Sequence, residues 1–153
     1  MEYSKINSIG ELKESGWESK SIKDELRDNL ILSRKNNVNL FSQIHGYDET
    51  VIPDLERAIL SKHDINFLGL RGQAKTKIAR SLVSLLDEFI PVIKGSVLND
   101  DPFNPISHYG KELVREEGDN TPITWLHRSE RFTEKLATPD VTVPDLIGDV
   151  DPI

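Results

Sequence analysis

The residues with the clearest chemical meaning are Gly69, Leu70, Arg71, Gly72, Gln73, Ala74, Lys75 and Thr76. In type and spacing they nearly reproduce G-x-x-x-x-G-K-[S/T], the pattern of a phosphate-binding loop, with Ala74 in place of the second Gly. A triphosphate is a dense anion, and such a loop wraps it with successive backbone N–H groups, which requires small residues and unusual backbone angles. The helix that follows turns its positive dipole end to the phosphates. Lys75 would reach the β- and γ-phosphates, and Thr76 would place a hydroxyl on Mg²⁺. Ala74 is the mildest replacement for Gly. If the position needs φ > 0, its methyl costs about 1 kcal/mol, so the expectation is weakened rather than abolished binding.

These residues work only if a strand delivers them and a helix receives them. Ile65-Asn-Phe67-Leu68, bounded by Asp64 and Gly69, reads as a short strand with little polar face, hence one in a sheet interior. From Lys75 the apolar period becomes helical: Ile78, Leu82, Leu85, Leu86 and Phe89 share a face, and Pro91 ends the helix. Upstream, Ser21 and Asp24 have the form of a capping box. Ile22, Leu26 and Leu30 form a stripe on the helix they open, which Asn36-Asn37 closes. A second helix is expected over 50–63, with Thr50 as N-cap and Pro53 in the first turn. Residues 1–18 read as a short helix or a loose arm. Beyond Gly95, residues 99–105 carry turn chemistry. Residues 111–117 read as a helix closed by Gly118, 123–126 as a strand, and 128–135 as a charged, exposed stretch.

Composition limits the alternatives. The 153 residues are 37% apolar and 29% charged, with a net charge of −7 and no cysteine. Thiolate metal sites, disulfides and cysteine nucleophiles are excluded. The net acidity disfavours broad attraction to nucleic acid or anionic lipid. No apolar run is long enough for a membrane span, and no secretory signal is visible at the start; a cytoplasmic location is expected. His45, His63, His108 and His127 have no zinc spacing. Asp140, Asp145, Asp149 and Asp151 do not follow the spacing of a calcium loop. Trp17 and Trp125 read as core or partner-contact residues, and Arg71 and Arg80 as flanks of the loop.

The loop and its surroundings resemble AAA+ ATPases of the magnesium-chelatase I-subunit and MoxR-type clade. Phe41-Ser-Gln-Ile44-His45-Gly46-Tyr-Asp48-Glu49 is similar to the family segment that helps enclose the adenine, and the phosphate loop follows about twenty residues later. Val143-Pro-Asp-Leu-Ile147-Gly148-Asp-Val-Asp151 is similar to the family's insertion loop. The resemblance covers residues 38–153, a partial nucleotide-binding core, with 1–37 as an N-terminal helical extension. It implies an α/β P-loop three-layer sandwich with a mainly parallel sheet, here incomplete. It also implies ATP and Mg²⁺ as ligands, Ile44, His45 and Gly46 on the adenine side, a homo-oligomeric ring, and a protein partner remodelled by ATP hydrolysis. The family's Walker B acid, sensor Asn, arginine finger and helical lid would follow Ile153. The expectation is therefore the front half of a longer protein, with little or no turnover in this chain alone. Two other readings stay open: a small P-loop phosphotransferase, and a nucleotide-binding or interaction module without turnover.

Overall fold

The computed structural model describes residues 5–136 and 138–148. Along the chain run α1 (Ile9–Glu14), α2 (Ile22–Lys35), α3 (Val51–Leu60), α4 (Lys75–Ser81), β1 (Phe89–Ile93), α5 (His108–Glu117), β2 (Ile123–His127) and α6 (Val143–Ile147), with short 3₁₀ turns between some of them. The sheet is two-stranded and antiparallel, pairing Phe89 with His127 and Ile93 with Ile123. Two apolar clusters carry the packing. The larger joins Leu30 of α2, Phe41, Ile44, the Ile52, Leu55 and Ile59 face of α3, and Ile78 and Leu85. The smaller joins Ile9 and Leu12 of α1 to Ile123 of β2. The residues expected as an N-terminal extension thus supply α1 to one cluster and α2 to the other.

Local signals account for most helix starts. Ser21 accepts from the Asp24 N–H and opens α2. Ser107 accepts from the Gly110 N–H and opens α5, and Gly118, at φ 55, closes it. Ser8 accepts from the Glu11 N–H and opens α1, giving the first eighteen residues a fixed helix. Thr50 precedes α3 without a side-chain cap bond, and α3 ends at Leu60, short of the expected 63.

The stripe of α2 holds at Leu26 and Leu30, which pack on the larger cluster, and fails at its first residue. Ile22 is 55% exposed, while Glu25 and Leu30 are buried. Glu25 is buried through an ion pair: Arg131 donates from Nη1 and Nη2 to its two oxygens at 2.7 and 2.6 Å. Arg131, expected on an exposed stretch, is itself 9% exposed.

The helix expected to reach residue 89 stops much earlier. α4 tightens into a 3₁₀ turn over Leu82–Leu85. The carbonyls that would have continued it are taken by distant side chains. Asn29 donates to the Leu85 carbonyl at 2.8 Å, and Arg128 donates to the Ser84 carbonyl at 3.2 Å. Glu25 accepts from the Asp87 N–H. Once these orphan groups have partners, ending the helix costs little. Phe89 then enters β1 and meets the His127 ring edge-on, with centroids 5.1 Å apart. Pro91, expected to stop a helix, sits inside β1. The Ile93 N–H bonds the Asp100 carbonyl rather than β2. By the two-residue period, position 91 also faces away from the partner strand, so its missing N–H removes no ladder bond.

The expected strand at 65–68 has no regular secondary structure, and the sheet among the described residues is neither parallel nor built on it. Ile65 and Phe67 pack against the larger cluster, whereas Leu68 is 86% exposed. Burial alternates with period 2, as for a strand with one covered face, but among the described residues no strand pairs with it.

Candidate phosphate-binding loop

α3 and α4 share the larger core, and the segment between them, including residues 69–74, runs over the surface. Ile78, one turn into α4, is 1% exposed and anchors the loop's far end. The N-cap of α4 is Ala74, at φ 55 and ψ 13, in the left-handed region. The position does demand positive φ, so the Ala methyl carries the strain the sequence anticipated. Gly72, at φ 82, provides a second left-handed residue without that cost.

Because Ala74 has no side-chain acceptor, α4 begins without a side-chain cap, and the first backbone bond into the helix runs from the Ile78 N–H to the Ala74 carbonyl at 2.9 Å. The N–H groups of the first turn are therefore orphan donors. Lys75 folds back over the loop, donating from Nζ to the Gly69 carbonyl at 2.8 Å and to the Leu70 carbonyl. Residues 71–77 line a concavity of about 470 Å³. Arg71, Lys75 and Lys77 give it three cations, and its lining has no carboxylate. Thr76 is exposed at its edge.

The segment expected beside the base is brought to the loop. Lys77 Nζ donates to the Gln43 carbonyl at 2.7 Å, and the Tyr47 hydroxyl meets the Gln73 carbonyl at 3.4 Å. Within that segment, Ile44 is 4% exposed and belongs to the core, while His45 and Gly46 are exposed. Gly46, at φ 81, makes the turn into Tyr47. Lys77 and Tyr47 are the tethers that the sequence reading missed. The signal for Lys77 was its place one residue beyond the Lys-Thr pair, on the first turn of the helix.

Other sequence candidates separate from this site. Arg80 turns to Glu134, with Nε to Oε2 at 2.6 Å, and each side chain is largely solvated; that proximity holds the Glu134 carboxyl below its usual range. Trp17 and Trp125 pack edge to face at 6.0 Å, and the Trp125 indole donates to the Ile6 carbonyl. In the segment expected as an insertion loop, Thr142 and Asp145 form a capping box that opens α6. Asp149 and Asp151 lie outside the described residues, and among the described residues no three His, Asp or Glu side chains converge as metal ligands.

The sequence reading also missed Asp100, which organises residues 96–107. Its carboxylate is 2% exposed and accepts from the Ile106 N–H at 2.7 Å, the Ser107 N–H at 2.9 Å and the Ser96 hydroxyl at 2.6 Å. The Ser107 hydroxyl is a fourth donor. Burial alone would raise its pKa, but the hydroxyls of Ser107 and Ser96 and the two backbone donors outweigh it and hold the carboxyl well below the usual range. Gly110 is required beside it: a Cβ there would lie 2.8 Å from Asp100 Oδ2 and 3.1 Å from Pro105 Cβ. An Asp inside a run of Asn, Asp and Pro was legible as a turn residue, though not as the buried centre of the loop.

No helix among the described residues is long and apolar enough to cross a membrane. No protein-family model, curated protein or solved structure matches the chain.

Proposed function

We propose that the chain is an ATP-binding module of the AAA+ type, akin to magnesium-chelatase I-subunit and MoxR-type ATPases. In this reading residues 69–76 hold the phosphates, and residues 44–46 lie on the adenine side. The observation that carries it is the concavity over residues 71–77, where three cations, two left-handed residues and an uncapped helix start occur together without a carboxylate. Binding would exchange the bonds from Lys75 Nζ to the Gly69 and Leu70 carbonyls for bonds to phosphate oxygens. Thr76 would contribute a hydroxyl to Mg²⁺, whose remaining ligands would be phosphate oxygens and water, as this hard ion prefers. Bound there, the metal would neutralise charge on the phosphates.

The proposal extends to a P-loop sandwich in which residues 65–68 act as a strand, to a ring of like subunits working on a partner protein, and to the cytoplasm. The one-sided burial of Ile65 and Phe67 supports the strand, since alternate packing is the pattern of an extended segment with one covered face. Turnover by this chain alone is expected to be negligible. Phosphoryl transfer needs an acid to hold the metal and orient water, and an arginine to stabilise the transition state; the arginine is worth roughly 10³–10⁵ in rate. The absence of a carboxylate from the lining favours binding without turnover over the phosphotransferase reading. Calorimetric titration of Mg²⁺·ATP against the protein and Lys75→Ala tests the site, and equal affinities would remove it. A steady-state phosphate-release assay tests turnover: a rate near one per second, abolished by Lys75→Ala, would replace this reading with a compact kinase-like enzyme.

A further inference from the structure

A second cavity, of about 390 Å³, lies away from the phosphate loop, between residues 16–20, the start of α2, β1 and residues 99–101. One wall is apolar, formed by Trp17, Ile90, Pro91 and Val92. Trp17 is fixed by its edge-to-face packing on Trp125, so this wall is preformed. Four carboxylates and two cations share the rest of the lining: Glu18, Glu25, Asp87 and Asp101 against Lys20 and Arg131.

The partners of these groups decide the site's net character. Arg131 and Glu25 neutralise each other through the buried two-pronged pair. Lys20 is engaged at 2.7 Å by Asp28, which is not in the lining; this partner raises the pKa of the Lys20 ammonium. Asp87 accepts through Oδ1 from Asn29 at 2.8 Å. Asp101 accepts through Oδ1 from the Ser19 hydroxyl and the Phe103 N–H, each at 2.8 Å. Glu18 has no hydrogen bond or ion pair among the described residues. No ion pair engages Glu18, Asp87 or Asp101 among the described residues; the Lys20 ammonium, bonded to Asp28, is near enough to Asp87 and Glu18 to feel their charge, and of the three only Asp101 stands outside its influence. At Asp87 and Asp101 each, the second oxygen keeps its lone pairs free among the described residues.

From this arrangement we infer that the cavity binds an organic cation, a guanidinium or ammonium group on an aliphatic stem. The charged head would meet Asp87, Asp101 and Glu18, and the stem would lie on the Trp17–Pro91 wall. Long cationic side chains and free amines share this division between an apolar body and a charged tip. An aromatic wall beside carboxylates favours both parts at once. The same chemistry could come from a free amine or from an arginine or lysine of a partner protein.

Agmatine represents the free amine, and a capped Leu-Arg-Leu peptide represents the partner side chain. Each is titrated calorimetrically against the full chain and against Glu18→Gln, Asp87→Asn and Asp101→Asn, singly and combined. These replacements keep a side-chain acceptor at each position, and thermal melts identify any variant that loses its fold. At least one ligand is expected to bind, with affinity falling at higher salt and at least about tenfold weaker in the combined variant. If the combined variant does not fold, a loss of about twofold or more in each folded single variant is the expected result. Tighter binding of the peptide assigns the site to a partner segment, and tighter binding of agmatine assigns it to a small amine. Failure of both to bind the parent at about 10 mM overturns the inference, as does binding that the charge-removing variants leave unchanged.

Discussion

Two loops of similar polarity behave in opposite ways. Residues 96–107 close on themselves around the Asp100 carboxylate, which takes two backbone N–H groups and two hydroxyls and leaves no room for a side chain at Gly110. Residues 69–76 have no such centre. The Gly69 and Leu70 carbonyls are met by the single flexible Lys75, the first N–H groups of α4 have no side-chain cap, and a left-handed Ala is retained at the junction. The first loop has met its own polar needs and serves as structure. The second leaves backbone donors uncapped and holds its lysines only on neutral carbonyls around a concavity without a carboxylate, and an arriving anion would suit both. What distinguishes a binding loop from a structural one is where its hydrogen bonds end, since both are rich in turn residues.

The largest effect is expected at the buried Glu25–Arg131 pair. Arg131→Ala leaves Glu25 charged, 3% exposed and without its partner, and should cost about 3–5 kcal/mol of stability in urea unfolding. A loss below about 1 kcal/mol, the usual worth of a solvated pair, would show that the pair is effectively exposed.

Asp100→Ala should cost about 2–3 kcal/mol, because it strands the Ile106 and Ser107 donors. The pH dependence has a defined sign. The folded pKa lies below the unfolded value of about 3.9, so the stabilisation is complete well above that value and is lost as pH falls through and below it. Chemical denaturation between pH 7 and pH 2 should show this loss in the parent, and Asp100→Asn should flatten it.

At the open loop the pattern reverses. Lys75→Ala should weaken Mg²⁺·ATP binding by about tenfold or more, close to 1.4 kcal/mol, while its urea midpoint changes little, since the bonds it loses are to carbonyls of a surface loop that water can reach. A large stability loss without an affinity loss would make this loop structural too and erase the contrast.

The smallest effect is expected from Ala74→Gly. At φ 55, relief of the methyl strain should stabilise the fold by up to about 1 kcal/mol, partly offset by chain entropy. Nucleotide affinity should equal or exceed that of the parent. A destabilised variant would mean that the Ala methyl makes a packing contact that outweighs its strain.

Much of the local structure is written in neighbouring residues. Ser21, Ser107 and Gly118 set helix ends because a cap acts within one turn. The β2 segment was legible as a short apolar run, and the positive φ at Ala74 follows from the loop pattern. The grouping of 43–47 with 69–77 was also legible as a pair of motifs, although the Lys77 and Tyr47 bonds that join them were not. What the tertiary structure alone decided came from side chains far apart in sequence. α4 ends at Ser81 and its 3₁₀ continuation at Leu85, where Arg128 and Asn29 take the Ser84 and Leu85 carbonyls, short of the Phe89 that the apolar pattern would reach. Arg131 gives the buried Glu25 its partner, which no local pattern in α2 announces. Residues 65–68 have the composition of a strand but no strand beside them, and a ladder needs a partner as well as a propensity. Caps and periods act over one or two turns of chain, whereas a helix's last residue and a strand's register depend on which distant group satisfies the next carbonyl.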